Sequence, residues 1–297
     1  MPPEAGLLQR RGLIAGGLAA TATLAARPAW SAATDAAFKA IEARTGGRLG
    51  VCMIRQGDVR VGWREDERFL MCSSFKALAA ASVLARVDRG AEHLDRWIAY
   101  GPADMQPYAP VTKANLARGG MTLGDLCAAA VELSDNTAAN LILTSLGGPA
   151  AVTRYLRGLG DQVTRLDRNE PALNTAKPGT DFDTTTPASM VGLWNRILLG
   201  KALSDASTAR LLGWLEACQT GPKRLPMAIP ADRHWRIGHK TGSGSTTLGD
   251  VAIMTPGDGF PILIAVYLNV PDALSGRFES DIADAGRIAF GQLRNKT

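Results

Sequence analysis

Histidine and cysteine are scarce in this chain, at 3 and 4 among 297 residues. His93, His234 and His239 stand at no ligand spacing, and Cys52, Cys72, Cys127 and Cys218 contain no C-x-x-C pair. Zinc, iron–sulfur and thioredoxin-like chemistry are therefore disfavoured, and no metal site is expected. Four distant cysteines in a chain this long do not make a disulfide scaffold, and they are read as buried free thiols. Excess charge is also missing. The formal net charge is +5, with the basic residues scattered and no Lys/Arg run interleaved with aromatics, which excludes a nucleic-acid footprint. There is no internal repeat and no low-complexity tract beyond the first residues.

Only one apolar stretch is long, Gly12 to Ala26, and it falls short of the roughly 20 residues that cross a bilayer. It follows Arg10-Arg11 and precedes the small residues Ala29-Trp30-Ser31-Ala32-Ala33, the architecture of a cleaved export signal over residues 1–33. Arg10-Arg11-Gly12-Leu13-Ile14 fits a twin-arginine signal, and an ordinary secretory signal also accommodates two arginines. Loss of Arg10, Arg11, Arg27 and Glu4 with that segment takes +2 from +5 and leaves +3 on the mature chain. The expected location is periplasmic or secreted, without stable membrane association after processing.

What remains is 46% hydrophobic over the whole chain, enough for a sizeable core. Ala36 to Ala43 reads as a short helix capped by Thr34 or Asp35. Arg48 to Arg55 and Val59 to Trp63 read as a hairpin around Gln56-Gly57-Asp58. Leu248 to Thr255 and Phe260 to Val270 repeat that pattern around Pro256-Gly257-Asp258-Gly259, and Glu279 to Leu293 is helical. Between the two β regions, Ser74–Arg89, Thr122–Ala130, Thr137–Ser145, Ala150–Leu159, Pro187–Leu199 and Ser204–Cys218 carry apolar residues at helical spacing. The expected fold is α+β: an antiparallel sheet built from both chain ends with flanking helices, packed against an inserted all-helical domain. Residues 34–71 plus 221–297 form the α/β domain in this reading, residues 72–220 the all-α domain, and the active site lies between them.

Ser73-Ser74-Phe75-Lys76 places a hydroxyl and an amine on one face at a helix start, where orphan amides favour negative charge and the amine can share the serine proton. Ser134-Asp135-Asn136 precedes a helix, and Lys240-Thr241-Gly242 follows a strand read over Trp235 to Gly238. Alone, the first two are ordinary helix-cap clusters and the third is weak. In that order, S-x-x-K, S-D-N and K-T-G together are a signature of class A β-lactamases and penicillin-binding proteins.

The mature chain resembles class A β-lactamases over essentially its whole length, most clearly in Arg64-Glu65-Asp66-Glu67-Arg68-Phe69-Leu70-Met71-Cys72-Ser73-Ser74-Phe75-Lys76. Arg168-Asn169-Glu170-Pro171-Ala172-Leu173-Asn174 looks like the segment that supplies the family's deacylating glutamate. The resemblance implies hydrolysis of penicillins and cephalosporins through an acyl-enzyme on Ser73, with Glu170 and Asn174 activating the deacylating water. It further implies a pairing of Arg168 with Asp183 at the neck of that loop, and an oxyanion hole from the Ser73 and Ser243 amides. Ser134 would relay a proton to the leaving nitrogen with help from Lys240. Either Lys76 or Glu170 would serve as the acylation base.

For the substrate, the resemblance assigns its side-chain amide to Asn136, the entrance to Tyr108, and its carboxylate to Lys240, Thr241, Ser243 and Arg224, with Arg277 in reserve for Arg224. The family implies a monomer that needs no cofactor. Departures are a shortened edge at Ser243-Gly244-Ser245-Thr246-Thr247-Leu248 and a longer Ala231–Trp235. Two family disulfides should be absent, because the positions facing Cys72 and Cys127 are read as Gly244 and Ala80. A D,D-peptidase would share the three motifs without the carboxylate, and a non-hydrolysing β-lactam or peptidoglycan sensor would bind without turnover.

Overall fold

Phe75 to Ala85, small or apolar apart from Lys76, is buried on every side, so the helix that carries it lies at the centre of the molecule rather than on its surface. The computed structural model describes residues 32–293 except 56–58, 232, 258, 272, 274 and 275. The described residues begin with α1 (Ala32–Thr45), β1 (Arg48–Arg55), β2 (Val59–Trp63) and β3 (Phe69–Leu70), then enter the central helix α2 (Phe75–Asp88). β4 (Trp97–Ala99), α3 (Pro110–Ala114), β5 (Gly120–Thr122), α4 (Leu123–Glu132), α5 (Asn136–Leu146) and α6 (Pro149–Gly158) follow. After β6 (Thr184–Thr185) come α7 (Pro187–Trp194) and α8 (Asp205–Glu216), and the chain closes with β7 (Arg236–Ser243), β8 (Thr247–Thr255), β9 (Ile262–Asn269) and α9 (Glu279–Gly291).

The main sheet has five strands in the order β2-β1-β9-β8-β7, every pair antiparallel. β1 and β9 pair from Arg48↔Asn269 to Arg55↔Ile262, so the two ends of the chain do build one sheet, as expected. β8 and β9 are buried almost throughout, which means both faces of the sheet are covered. α1, α7 and α9 pack on it, while α4, α5, α6 and α8 surround α2. Ala77, Ala79, Ala80 and Ala81 keep α2 thin enough for those neighbours to approach closely.

Several boundaries move. α1 already includes Ala32, the first described residue, so Thr34 and Asp35 lie inside the helix instead of capping it, and Ala32 and Ala33 are strong helix formers. Of the segment read as an export signal, residues 1–31 lie outside the described residues, as does the Gln56-Gly57-Asp58 turn and Asp258 of the second turn. The stretch read as one helix from Pro187 to Leu199 becomes α-helix to Trp194 and then a wider π turn over Asn195–Leu199, closed by Gly200 N–H donating to Asn195 O at 2.9 Å. Lys240-Thr241-Gly242 lies within β7 and not after it, held by the register Lys240↔Val251 to Gly242↔Gly249.

Candidate active site

Ser73 lies in a single 3₁₀ turn, Cys72–Ser74, that leads directly into α2. Cys72 takes a left-handed backbone, φ 45°, which turns the chain so that the Ser73 hydroxyl leaves the helix start. That hydroxyl donates to Glu170 Oε1 at 3.1 Å. One helical turn on, Lys76 is fully buried, and a charge buried this deeply needs partners on all sides. It has them. Nζ donates to Ser134 O at 2.7 Å, Ser134 Oγ at 3.3 Å and Asn136 Oδ1 at 2.5 Å, and lies 3.0 Å from Glu170 Oε1. Burial pushes the Lys76 amine below the usual lysine range against the opposing pull of Glu170.

The second wall is the start of α5. Asp135 caps that helix by accepting from Ala138 N–H at 2.8 Å, and its other contacts, from Val111 N–H, Thr112 N–H and the Thr112 hydroxyl, tie the first turn of α3 to it. Ser134, just ahead of the cap, has φ 58°. Its hydroxyl stands between two amines, since Lys240 Nζ also donates to it, at 3.1 Å. Tyr108 belongs to the same wall, its carbonyl accepting from Asn136 N–H at 2.9 Å while its ring is half exposed.

β7 supplies the third wall. A Cβ at Gly242 would come within 2.5 Å of Met71 O, so only glycine lets the strand lie against the Ser73 turn. Burial pushes Lys240 down to about 8, opposed by the charge of Cys218 and reinforced by that of Lys76. Thr241 Oγ1 lies 2.5 Å from Thr220 Oγ1. Arg224, nearly buried, donates from Nη2 to Ser243 Oγ at 2.7 Å and from Nη1 to Gly242 O and Gly249 O, and pairs with Glu279 at 3.0 Å. Of the two arginine candidates, Arg224 is the one joined to the site; Arg277 is exposed, with its guanidinium 4.6 Å over the Phe278 ring.

The loop carrying Glu170 closes the site. Arg168 Nε lies 2.5 Å from Asp183 Oδ2, and Asp183 Oδ1 accepts from the Asp167 and Arg168 amides, so the neck expected from the resemblance is formed. Glu170 Oε2 accepts from Asn174 Nδ2 at 2.5 Å, and Asn174 Oδ1 is buried without a protein partner. Asn140, which the motifs did not single out, clamps the Glu170 backbone at both ends: its Oδ1 accepts from Glu170 N–H and its Nδ2 donates to Glu170 O, each at 2.9 Å. Its signal was present as Asn136-x-x-x-Asn140, two amides one turn apart on one face of α5.

Because Asp183 is completely buried, Arg168→Ala leaves its charge with backbone donors alone. The expected cost is about 2–3 kcal/mol, near the lower end for a broken buried pair because the two amides remain. Urea unfolding should show a lower midpoint at an unchanged slope.

All four cysteines are free, Cys52, Cys72 and Cys127 buried as expected and Cys218 only partly so. Cys218 departs from that reading because it follows the end of α8 instead of lying within the core. A Cβ at Gly244 would stand 2.7 Å from Cys72 Sγ, which makes Gly244 the facing position and explains why no disulfide forms there. Among the described residues no group of three or more histidine, cysteine or carboxylate side chains is placed to hold a metal.

A hydroxyl at a helix start, two buried amines flanking a second hydroxyl, and a clamped carboxylate are the equipment of a serine-dependent acyl-transfer enzyme. Comparison with known proteins narrows that class. The model of the β-lactamase enzyme family matches residues 33–293. β-Lactamase OXY-2 of Klebsiella oxytoca is 39% identical over 91% of this chain and 94% of its own. β-Lactamase Toho-1 of Escherichia coli is 40% identical over 84% of this chain and 86% of its own. Among solved structures, the class A β-lactamase of the last common ancestor of Gram-negative bacteria superposes with a TM-score of 0.84 at 50% identity, over 89% of this chain and all (100%) of that one. A β-lactamase from Burkholderia vietnamiensis gives 0.85 at 43% identity, over 91% and 100%. The chain belongs to the β-lactamase enzyme family, on its class A side.

Proposed function

We propose that the protein hydrolyses β-lactam antibiotics, penicillins and cephalosporins, through an acyl-enzyme on Ser73. The observation that carries this reading is the clamped Glu170 carboxylate, with one oxygen on the Ser73 hydroxyl and the other on Asn174. Family membership and relatives named as β-lactamases point the same way.

Ser73 attacks the lactam carbonyl, and the resulting oxyanion is held by the backbone N–H groups of Ser73 and Ser243. The direct hydrogen bond from Ser73 to Glu170 supports Glu170 over Lys76 as acceptor of the serine proton, since Lys76 is engaged as a donor to Ser134, Asn136 and Glu170. Ser134, between Lys76 and Lys240, passes a proton to the departing ring nitrogen. The proton taken by Glu170 returns through Lys76 to Ser134, which leaves the carboxylate ionised, and in the second half-reaction Glu170 deprotonates a water whose other hydrogen is accepted by the otherwise unpartnered Asn174 Oδ1. Lys240, Thr241, Ser243 and Arg224 receive the substrate carboxylate, Asn136 its side-chain amide, and Tyr108 lines the entrance. The site is read as lying between an α/β domain of residues 34–71 plus 221–297 and an all-α domain of residues 72–220.

The signal-free protein mixed with excess benzylpenicillin should consume the drug and return to its unmodified mass. A lasting adduct would replace hydrolysis with the peptidase or sensor reading, and an inert mixture would remove the enzymatic reading altogether.

The Lys240 ammonium offers a pH test. With burial holding its folded pKa at about 8, the cation that meets the substrate carboxylate is complete below that pH and is lost as pH rises through it. KM for penicillins should therefore rise above pH 8, and Lys240→Arg, whose charge persists, should flatten that limb. Stability moves the opposite way: between pH 8 and the unfolded lysine range the unfolded chain binds the extra proton, so this residue makes the fold more stable as pH increases.

Export to the periplasm or beyond, by a twin-arginine or ordinary signal, and a monomeric state complete the proposal. No helix among the described residues is long and apolar enough to cross a membrane. Cell fractionation of the full chain against an Arg10→Lys, Arg11→Lys variant separates the two export routes.

A further inference from the structure

The turn that presents Ser73 is tied to the middle of the main sheet by a side chain that hydrogen-bonds none of the catalytic groups. Ser74, fully buried, donates its hydroxyl hydrogen to Met71 O at 2.7 Å, and its backbone N–H donates to the same carbonyl at 3.1 Å. A serine hydroxyl has one hydrogen, so in the 3.0 Å contact between Ser74 Oγ and the Tyr267 hydroxyl the donor is Tyr267. Burial keeps that phenol protonated by pushing it above the ordinary tyrosine range, against the opposing effect of the Ser74 bond. The result is a directed chain, from Tyr267 O–H to Ser74 O–H to the Met71 carbonyl, that closes the turn around Cys72 and Ser73. Met71 is held on its other side as well, its N–H donating to Asp183 O at 2.9 Å.

The reach from β9 to that turn depends on what stands beside Tyr267. Its neighbour on β8 is Gly249 and its neighbour on β1 is Gly50. A Cβ at Gly249 would stand 2.5 Å from Tyr267 Cδ1, so the ring lies across β8 in space that any other side chain there would fill. A Cβ at Gly50 would stand 2.4 Å from Phe69 Cε2, and the Phe69 ring stacks on Tyr267 with centroids 5.9 Å apart and planes at 18°. Packing thus fixes the ring, and Ser74 fixes its hydroxyl.

Cys72, inside the closed turn, is held at φ 45°, a left-handed backbone that a residue with a Cβ keeps only where its surroundings over-determine it. Ser73 follows at once, so the aim of its hydroxyl at Glu170 and the placement of its N–H both follow from that turn.

We propose that Tyr267 is a positioning residue for the nucleophile: its hydroxyl, acting through Ser74, fixes the turn that aims the Ser73 hydroxyl and N–H at the reacting carbonyl. The inference rests on the acyl-enzyme reading of Ser73. Acylation and deacylation use the same serine oxygen and the same oxyanion, while the substrate carboxylate meets Lys240, Thr241, Ser243 and Arg224 on other segments. Loss of the tether should therefore slow both half-reactions together and leave KM almost where it was.

The experiment compares wild type, Tyr267→Phe, Ser74→Ala and the double variant in benzylpenicillin hydrolysis, by stopped flow and at steady state. Tyr267→Phe keeps the ring, its stacking on Phe69 and its place over Gly249, and removes one oxygen. Its kcat should fall roughly tenfold, less than the ~100-fold that a misplacement of ~1 Å can cost, with KM within about twofold of wild type. The two single losses should not multiply in the double variant, because both break the same chain. A wild-type kcat in Tyr267→Phe at any melting temperature, a loss carried by KM, or single losses that multiply would overturn the positioning role. Amide hydrogen exchange of the peptide spanning residues 71–75 needs no substrate. It should quicken in Tyr267→Phe while α4 and α5 exchange as in wild type, and unchanged exchange at 71–75 would overturn the tether. A wild-type protein that never acylates would overturn the acyl-enzyme reading instead, with the exchange result still standing.

Discussion

Ser73→Ala is expected to abolish penicillin hydrolysis, by on the order of 10⁶-fold in kcat, the loss seen when a serine nucleophile is removed from a site whose parts act as a unit. The change deletes one oxygen at the edge of the cleft and leaves the Lys76–Glu170 contact and the Lys76 bonds to Ser134 and Asn136 in place. Thermal stability should therefore be almost unchanged, and a normal melting transition alongside a dead enzyme separates loss of the nucleophile from misfolding. The variant should still bind penicillin, because Lys240, Thr241, Ser243 and Arg224 are untouched, but intact mass should show no covalent adduct at any time. Substantial turnover by Ser73→Ala would remove the acyl-enzyme from the mechanism.

Glu170→Ala is expected to stop the cycle halfway. With the carboxylate gone, a water near Asn174 has no base, and the ester on Ser73 should persist: a burst of about one drug per protein, a stable mass increase mapped to Ser73, and steady turnover lower by roughly 10²–10⁴-fold. If Glu170 also takes the serine proton in acylation, the burst itself should be slower than in wild type. Removing it withdraws a counter-charge from buried Lys76, which moves that amine further down from the lysine range. Glu170→Gln keeps the Asn174 and Asn140 contacts and should behave alike in turnover, which isolates the proton acceptor from the packing. A variant that hydrolyses normally and never carries an adduct would require another base.

Much of this architecture could be read in one dimension. The hairpin strands Arg48–Arg55 and Val59–Trp63, read from either side of Gln56-Gly57-Asp58, occur at the residues expected. Helices with strong local signals also held, as where Thr122 caps α4 through the Asp125 amide and Asp135 caps α5. Boundaries without such a signal drifted: α1 began at the alanines assigned to the export segment, and the wider turn at Asn195 has no sequence mark. Arg224, assigned by resemblance, is bonded to Ser243, while the Asn140 clamp and the His239–Asp250 contact carry no motif of their own. Each of those depends on two or three residues from separate elements, and none forms a contiguous motif.

By itself the sequence determined which short segments could start a helix, turn a strand or present a nucleophile, because those properties arise from neighbours within a few residues and from backbone hydrogen bonds that close locally. Only the tertiary structure decided what those side chains meet. Ser73 reaches Glu170 across 97 positions and Lys240 reaches Ser134 across 106, distances made short where the Ser73 turn packs against both β7 and the loop that carries Glu170. Burial in that packed interior lowers Lys76 and Lys240, since the cost of removing charge from water exists only after the chain has closed around it.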